Sequence, residues 1–394
     1  MSREHCFREE LDQLHREGLY RRFLPVSSVG DAMVELDGAK TLLFCSNDYL
    51  GLSTHPILSQ RSMEATARFG TSTGASRLVS GTNLLHVELE EEISRFKGTE
   101  RALVFNSGYA ANTGVISALV SDGDFIFSDR LNHASIIDGS ILSRAKLIRY
   151  HHNDMDHLRS LLKKHRGKGR GLIVSDGVFS MDGDLPPFAD LVALKEEFDL
   201  VLMIDDAHGT GVMGEKGRGS SHEAGVADRV DIHMGTFGKA LGSFGAYVAA
   251  SETIVEYLIN RSRSFIFSTS LPPAVIGASR AGVELVQSPE GEELRRRLRA
   301  NRQRLVQQLT DAGFSTTPST TQIVPIMVGD PHRTMEFARR LLQRGIFLQG
   351  IRPPTVPRGT SRLRCTVMAA HTAEQIDRCA AALIQVGGEL GVIP

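Results

Sequence analysis

Cysteine is scarce in this chain. Cys6, Cys45, Cys365 and Cys379 are scattered and form no CxxC pair, which argues against a zinc ribbon or a disulfide framework and fits a reducing compartment. An excess of one charge is also missing. The formal net charge is -1, so no overall basic field for nucleic acid exists, and no acidic tail. No run approaches the ~20 apolar residues of a membrane span. The opening "MSREHCFREELDQLHREG" is charged where a secretory signal needs an apolar stretch. These absences predict a cytoplasmic protein with neither nucleic acid nor membrane as a partner. Internal repeats and low-complexity segments are absent as well.

What is present describes a globular enzyme-sized chain. Its 394 residues exceed the ~250–300 at which single cores stop growing, so one large domain and a smaller one are expected. Residues 7–17 place Phe7, Leu11 and Leu14 at helical spacing among charges, which predicts an amphipathic helix. "MVELDGAKTLLF" reads as two strands around an Asp37-Gly38 turn. From about residue 100, short apolar runs ("RALVF", "DFIFSD", "KLIRY", "GLIVSDGVF", "LVLMIDDAH") alternate with helical stretches. That order indicates βαβ units and a mostly parallel α/β sheet with helices on both faces. Near residue 285 the pattern changes to a long arginine-rich helix and a smaller α+β region. Acidic residues Glu290, Glu292 and Glu293 accompany the arginines, which favours a solvated face over RNA binding. The expected division is therefore 1–45 as an N-terminal helix and strands, 46–285 as the large domain and 286–394 as the C-terminal domain.

Ligand-contacting residues in α/β sheets cluster after the carboxyl ends of strands. That rule selects Ser107-Gly108-Tyr109, where a helix begins and its N–H groups suit a phosphate. It also selects His133, Asp205 with His208, and Lys239 in "TFGKALGSFGA". Each has a plainer reading. His133 caps the helix it opens, Lys239 is a surface lysine in a glycine-rich loop, and Asp205, Asp206 and His208 ligate a metal. "GTGVMGEKGRG" lacks the GxxxxGK[ST] order of a phosphate loop. One chemistry uses all four places at once. Pyridoxal 5'-phosphate needs a Schiff-base lysine, a carboxylate at its ring nitrogen, an anion cradle and a flat group against the ring. Lys239, Asp205, the helix start at Gly108 and His133 supply these in turn, His208 reaches the phenolic oxygen, and no metal is required. Gly238 and Gly242 then let the cofactor lie close to the backbone.

With these residues in view, the chain resembles the α-oxoamine synthases, a family of fold-type I pyridoxal-phosphate enzymes. The resemblance rests on "SNDYLGL", "HASIIDG", "DGVFSMDGD", "DDAHGTGVMGEKGRG", "TFGKALG" and "FSTSLPP" and covers nearly the whole chain. It implies a homodimer with active sites at the subunit interface, where Ser268 and Thr269 help bind the partner's phosphate. It further implies that Ser180 and His208 bond the cofactor, Thr236 binds its phosphate, and Arg364 with Asn47 takes the substrate carboxylate. The family joins an amino acid to an acyl thioester with loss of carbon dioxide. "GIRPPTVPRGTSRLR" (350–364) resembles members that use L-alanine and a pimeloyl thioester, with Arg21 and Thr355 contacting the acyl substrate. "NHASIIDGSILSRAK" is about as close to members that use glycine and acetyl-CoA. An aminotransferase on the same fold is the nearer enzymatic rival. A cofactor-free binding protein should have lost Lys239 or Asp205, and both are retained.

Overall fold

The computed structural model describes residues 4–30, 32–165 and 169–394. The chain divides into two compact units, one of Leu50–Ser180 and Leu185–Arg295, the other of Met1–Tyr49, Met181–Asp184 and Arg296–Pro394.

The larger unit is built on seven strands: β1 (Arg101–Phe105), β2 (Phe125–Asp129), β3 (Lys146–Tyr150), β4 (Gly171–Asp176), β5 (Val201–Asp205), β6 (Ile232–Thr236) and β7 (Ala246–Ala250). Their order in the sheet is β1-β7-β6-β5-β4-β2-β3. The pairs from β3 to β6 are parallel, and only β7 runs against its neighbours β6 and β1. Both faces are covered, which is why the strands read as continuous apolar runs rather than as alternation. In β4, Leu172 and Val174 join Val115, Ile116 and Leu258 on one face. Ile173, between them, joins Leu158, Leu191 and Val192 on the other. The period of two along the strand thus divides one apolar run between two cores.

In the smaller unit the helix His5–Arg16 opens the chain. Strands Met33–Leu36 and Ala39–Leu43 pair antiparallel. Asp37 and Gly38 join them with φ of 48° and 78°, the two positive angles that a tight hairpin turn demands. Ile346–Phe347 adds in parallel to the second strand, so residues from both ends of the sequence share one sheet. A second sheet has Ser361–Thr366 between Ile323–Gly329 and Gln349–Ile351.

The arginine-rich helix spans Pro289–Asp311. Its arginines were expected on a solvated face, and Arg295 departs from this. It is 1% exposed and donates to the Val286 carbonyl at 2.6 Å and to Glu292 at 2.8 Å. The two acceptors satisfy N–H groups at Nη1 and Nη2 that would otherwise be stripped of water, and Nε has no partner among the described residues.

Candidate active site

The parallel strands direct their carboxyl ends to one edge of the sheet, and the chain leaves each one there carrying a polar group. After β1 come Ser107 and the helix Gly108–Leu119, whose cap is Ser107 Oγ accepting from Ala110 N at 3.1 Å. After β2 comes His133, after β4 Asp176 and Ser180, after β5 Asp205 and His208, and after β6 Thr236 and Lys239. Gly108, Tyr109, His133, Ser180, Asp205, His208, Thr236 and Lys239 line one cavity of about 200 Å³. Asn112, Ser135 and Asp176 line it too.

Asp205 is buried and held on both oxygens. Its Oδ2 accepts from Asn112 Nδ2 at 2.7 Å, and its Oδ1 from Ala207 N at 3.0 Å. Asn112 Nδ2 also donates to Ser135 Oγ at 2.8 Å. These bonds fix the carboxylate's direction before any ligand arrives. Asp176 is buried beside it and accepts from His133 N at 3.0 Å. Burial, and then the negative charge of Asp205, push the Asp176 carboxyl well above the usual range. Like charges in one dry site favour a proton on one of them.

His133 does cap its helix, accepting from Ser135 N through Nδ1 at 3.3 Å, and it lines the cavity as well. The two readings of this residue are compatible. Burial first, and the positive charge of Lys239 next, lower its pKa, while Asp205 opposes them. A neutral, flat ring with its remaining nitrogen at Nε2 follows.

Lys239 Nζ lies 2.8 Å from His208 Nε2, so it faces the cavity rather than solvent. The turn that presents it is closed by Gly242 N donating to the Lys239 carbonyl at 2.9 Å. Thr236 Oγ1 pins the base of this turn, donating to the Gly245 carbonyl at 2.8 Å and accepting from Gly238 N at 3.1 Å. The turn corrects the expected reason for one of the two glycines. Gly242 has φ +65° and an added Cβ would stand 2.5 Å from the Leu52 carbonyl carbon, whereas a Cβ at Gly238 meets nothing nearer than 3.5 Å. Gly242 thus answers to backbone geometry and packing, whereas the space beside Gly238 is open.

Asp206 does not act with Asp205. It accepts from Ser220 N at 3.1 Å and Ser220 Oγ at 2.5 Å, and its Oδ2 is 3.7 Å from Lys97 Nζ. Ser268 and Thr269 do not line the Lys239 cavity; the Thr269 carbonyl accepts from Asn106 Nδ2 at 2.7 Å.

Four expected substrate residues belong to the smaller unit. Arg364 donates through Nη1 to Asn47 Oδ1 at 3.1 Å and through Nη2 to the Tyr49 hydroxyl at 3.3 Å. Arg21 and Thr355 line a separate cleft of about 690 Å³. The sequence reading did not select Asp176, Asn112 or Ser135. Asp176 ends an apolar run, as Asp205 does, so the same rule was available for it. Asn112 lies a turn inside its helix, where no linear signal distinguishes it from a surface residue.

The sequence profile of the family described as aminotransferase class I and II matches residues 39–383. An 8-amino-7-oxononanoate synthase from Geotalea daltonii is 61% identical over 387 residues, 98% of each chain. One from Geobacter sulfurreducens is 59% identical, again over 98% of each chain. Among solved structures, a serine palmitoyltransferase from Sphingomonas wittichii superposes with a TM-score of 0.94 at 32% identity, covering 100% of this chain and 99% of that one.

Proposed function

This chain belongs to the aminotransferase class I and II family and, within it, to the α-oxoamine synthases, and we propose that it condenses L-alanine with a pimeloyl thioester. The products are 8-amino-7-oxononanoate, the free thiol and carbon dioxide, a step of biotin synthesis. The observation that carries this reading is the near-full-length identity with synthases of that name.

The cofactor of this family is pyridoxal 5'-phosphate, and the residues of the cavity fit it. A lysine amine, a fixed buried carboxylate, a helix N-terminus and a neutral ring converge there, and Asn112 Oδ1 is a buried acceptor without a partner among the described residues. Once bound, the group supplies a protonated ring that accepts the electron pair left when alanine loses its α-proton.

The protein's own groups do the rest. Asp205, aimed by Asn112 and Ala207, holds a proton at the ring nitrogen. The Gly108 and Tyr109 amides and Thr236 would hold the phosphate, while Ser180 and His208 would hold the ring's substituents. His133, its pKa lowered by burial, would offer the ring a flat, neutral face. Lys239 would be the covalent anchor, and its freed amine, placed 2.8 Å from His208 Nε2, would remove the α-proton of alanine. Arg364, steadied by Asn47 and Tyr49, takes the alanine carboxylate with a planar fork that lysine lacks. Arg21 and Thr355 contact the acyl chain. Ser268 and Thr269, which are outside their own chain's cavity, complete the phosphate site of a second copy in a homodimer.

Thiol release by the purified enzyme, crossing alanine and glycine with pimeloyl-CoA and acetyl-CoA, tests the proposal. Fast turnover with alanine and pimeloyl-CoA alone supports it. Preference for glycine and acetyl-CoA keeps the family and overturns the acyl assignment.

A further inference from the structure

The loop that follows β3 gathers ligating groups away from the Lys239 cavity. Its sequence is "HHNDMDH", residues 151–157. Asn153 has φ 54°, a left-handed angle that asparagine accepts more readily than most residues, and the chain reverses there. The reversal is fixed from behind. Buried Asp129, the last residue of β2, accepts from Asn153 N at 2.9 Å and pairs with His152 Nδ1 at 3.0 Å. Asn153 Nδ2 donates to the Leu185 carbonyl at 3.1 Å. Asp154 N then closes a turn on the His151 carbonyl at 3.0 Å. Asp154 Oδ1 caps the helix Met155–His165 by accepting from His157 N at 2.8 Å, and Oδ2 lies 3.7 Å from His151 Nδ1. His151 is thereby folded over the first turn of that helix, its ring 4.1 Å from the His157 ring.

Three ligand atoms meet as a result. One ring nitrogen each from His151 and His157 and a carboxylate oxygen of Asp154 all lie within 4.8 Å of one another. The His151 and Asp154 side chains are 55% and 42% exposed, so an ion reaches them from solvent. Bonds of about 2.0–2.2 Å to a tetrahedral zinc ion set its ligand atoms roughly 3.4 Å apart, and small rotations of these exposed side chains close the difference. One existing bond competes. His157 Nδ1 accepts from His151 N at 3.1 Å, and an ion taking that lone pair returns a single exposed amide to water. We propose that His151, Asp154 and His157 bind one divalent transition-metal ion of the zinc type, with water completing its coordination. Two imidazoles and a carboxylate suit that class, whereas magnesium and calcium take oxygen ligands throughout. The ion clips the end of β3 to the helix that follows. Its role is structural, since none of the three ligands lines the Lys239 cavity. Asp129 and the Leu185 carbonyl hold the turn in place beforehand, so little ordering is lost on binding.

The experiment dialyses untagged, cofactor-loaded enzyme against zinc with magnesium in large excess, and compares wild type with Asp154→Asn and His157→Asn. Asparagine keeps the helix cap at 154 and offers an acceptor near the Nδ1 position at 157, so both variants fold. Wild type should bind one zinc per chain more than either variant, undisturbed by magnesium. The affinity of each variant should fall at least ~10-fold, the loss that even a missing outer-shell partner causes. Zinc held at other exposed groups, such as Cys6, is common to all three proteins and cancels in the comparison. Cobalt in place of zinc should give the strong visible bands of a low-coordinate ion in wild type and not in the variants. Zinc should also raise the melting temperature of wild type more than that of either variant, and turnover should be the same before and after chelation. Equal zinc binding by all three proteins, or displacement of the ion by magnesium, would overturn the site. Turnover lost on chelation and restored by zinc would overturn the structural role.

Discussion

Replacing Lys97 by methionine isolates the ion pair behind the Asp205 loop. Lys97 ends the helix Leu84–Lys97 and is buried, with Nζ 3.7 Å from Asp206 Oδ2 and donating to the Arg218 carbonyl. Burial pushes the Asp206 carboxyl up, and Lys97 is the first group opposing that rise. Methionine keeps most of the side-chain volume, so the loss reports charge rather than a cavity. Removing one member of a buried pair costs ~3–5 kcal/mol, and the loose separation here favours about 3 kcal/mol. Asparagine at 206 removes the stranded charge, so Lys97→Met/Asp206→Asn should regain most of that loss. The assay is urea unfolding of the cofactor-loaded protein, at neutral pH and again near pH 5.5. Without Lys97 the Asp206 pKa rises further above its unfolded value, so the native state binds the extra proton. The deficit of the single variant must therefore shrink as pH falls. A loss below about 1 kcal/mol, or a double variant no more stable than the single one, would refute the reasoning.

Gly242→Ala should destabilise by about 2–3 kcal/mol in the same assay, from its positive φ and its approach to Leu52. Gly238→Ala should cost no more than about 1 kcal/mol, and equal effects would contradict the turn geometry. His86 and His371 are buried, with pKa values lowered to about 3 and about 4. Their depressed folded values mean that stability falls as pH drops below the ordinary histidine value of about 6.5, by about 1.4 kcal/mol per pH unit for each. A flat denaturation midpoint between pH 6.5 and 4.5 would count against both assignments. Lys239→Ala should fold as wild type, with an unchanged melting profile, yet show no cofactor retained through denaturation after borohydride treatment. Retention in that variant would place the covalent anchor elsewhere.

The fold was legible where one physical signal sufficed. Apolar runs buried on both faces located the strands, and their order located Lys239, Asp205 and His133 at one edge. The hairpin at Asp37-Gly38 was visible because only particular residues accept two positive φ angles. What stayed hidden depends on distant partners. Nothing local to Arg295 marks it as buried among solvated arginines. Lys97 and Asp206 meet across more than a hundred positions of sequence, and Asn112 becomes informative only when Asp205 is seen on its amide. Gly242 was expected to make room for a cofactor, and its positive φ and its neighbour in space, Leu52, explain it instead.

The most direct test of the central claim follows the carboxyl carbon of alanine. With [1-13C]alanine and pimeloyl-CoA, the account predicts labelled carbon dioxide and free CoA in equal amounts, together with an unlabelled amino ketone. Label retained in pyruvate, with no thiol released, would make the enzyme an aminotransferase and contradict the account.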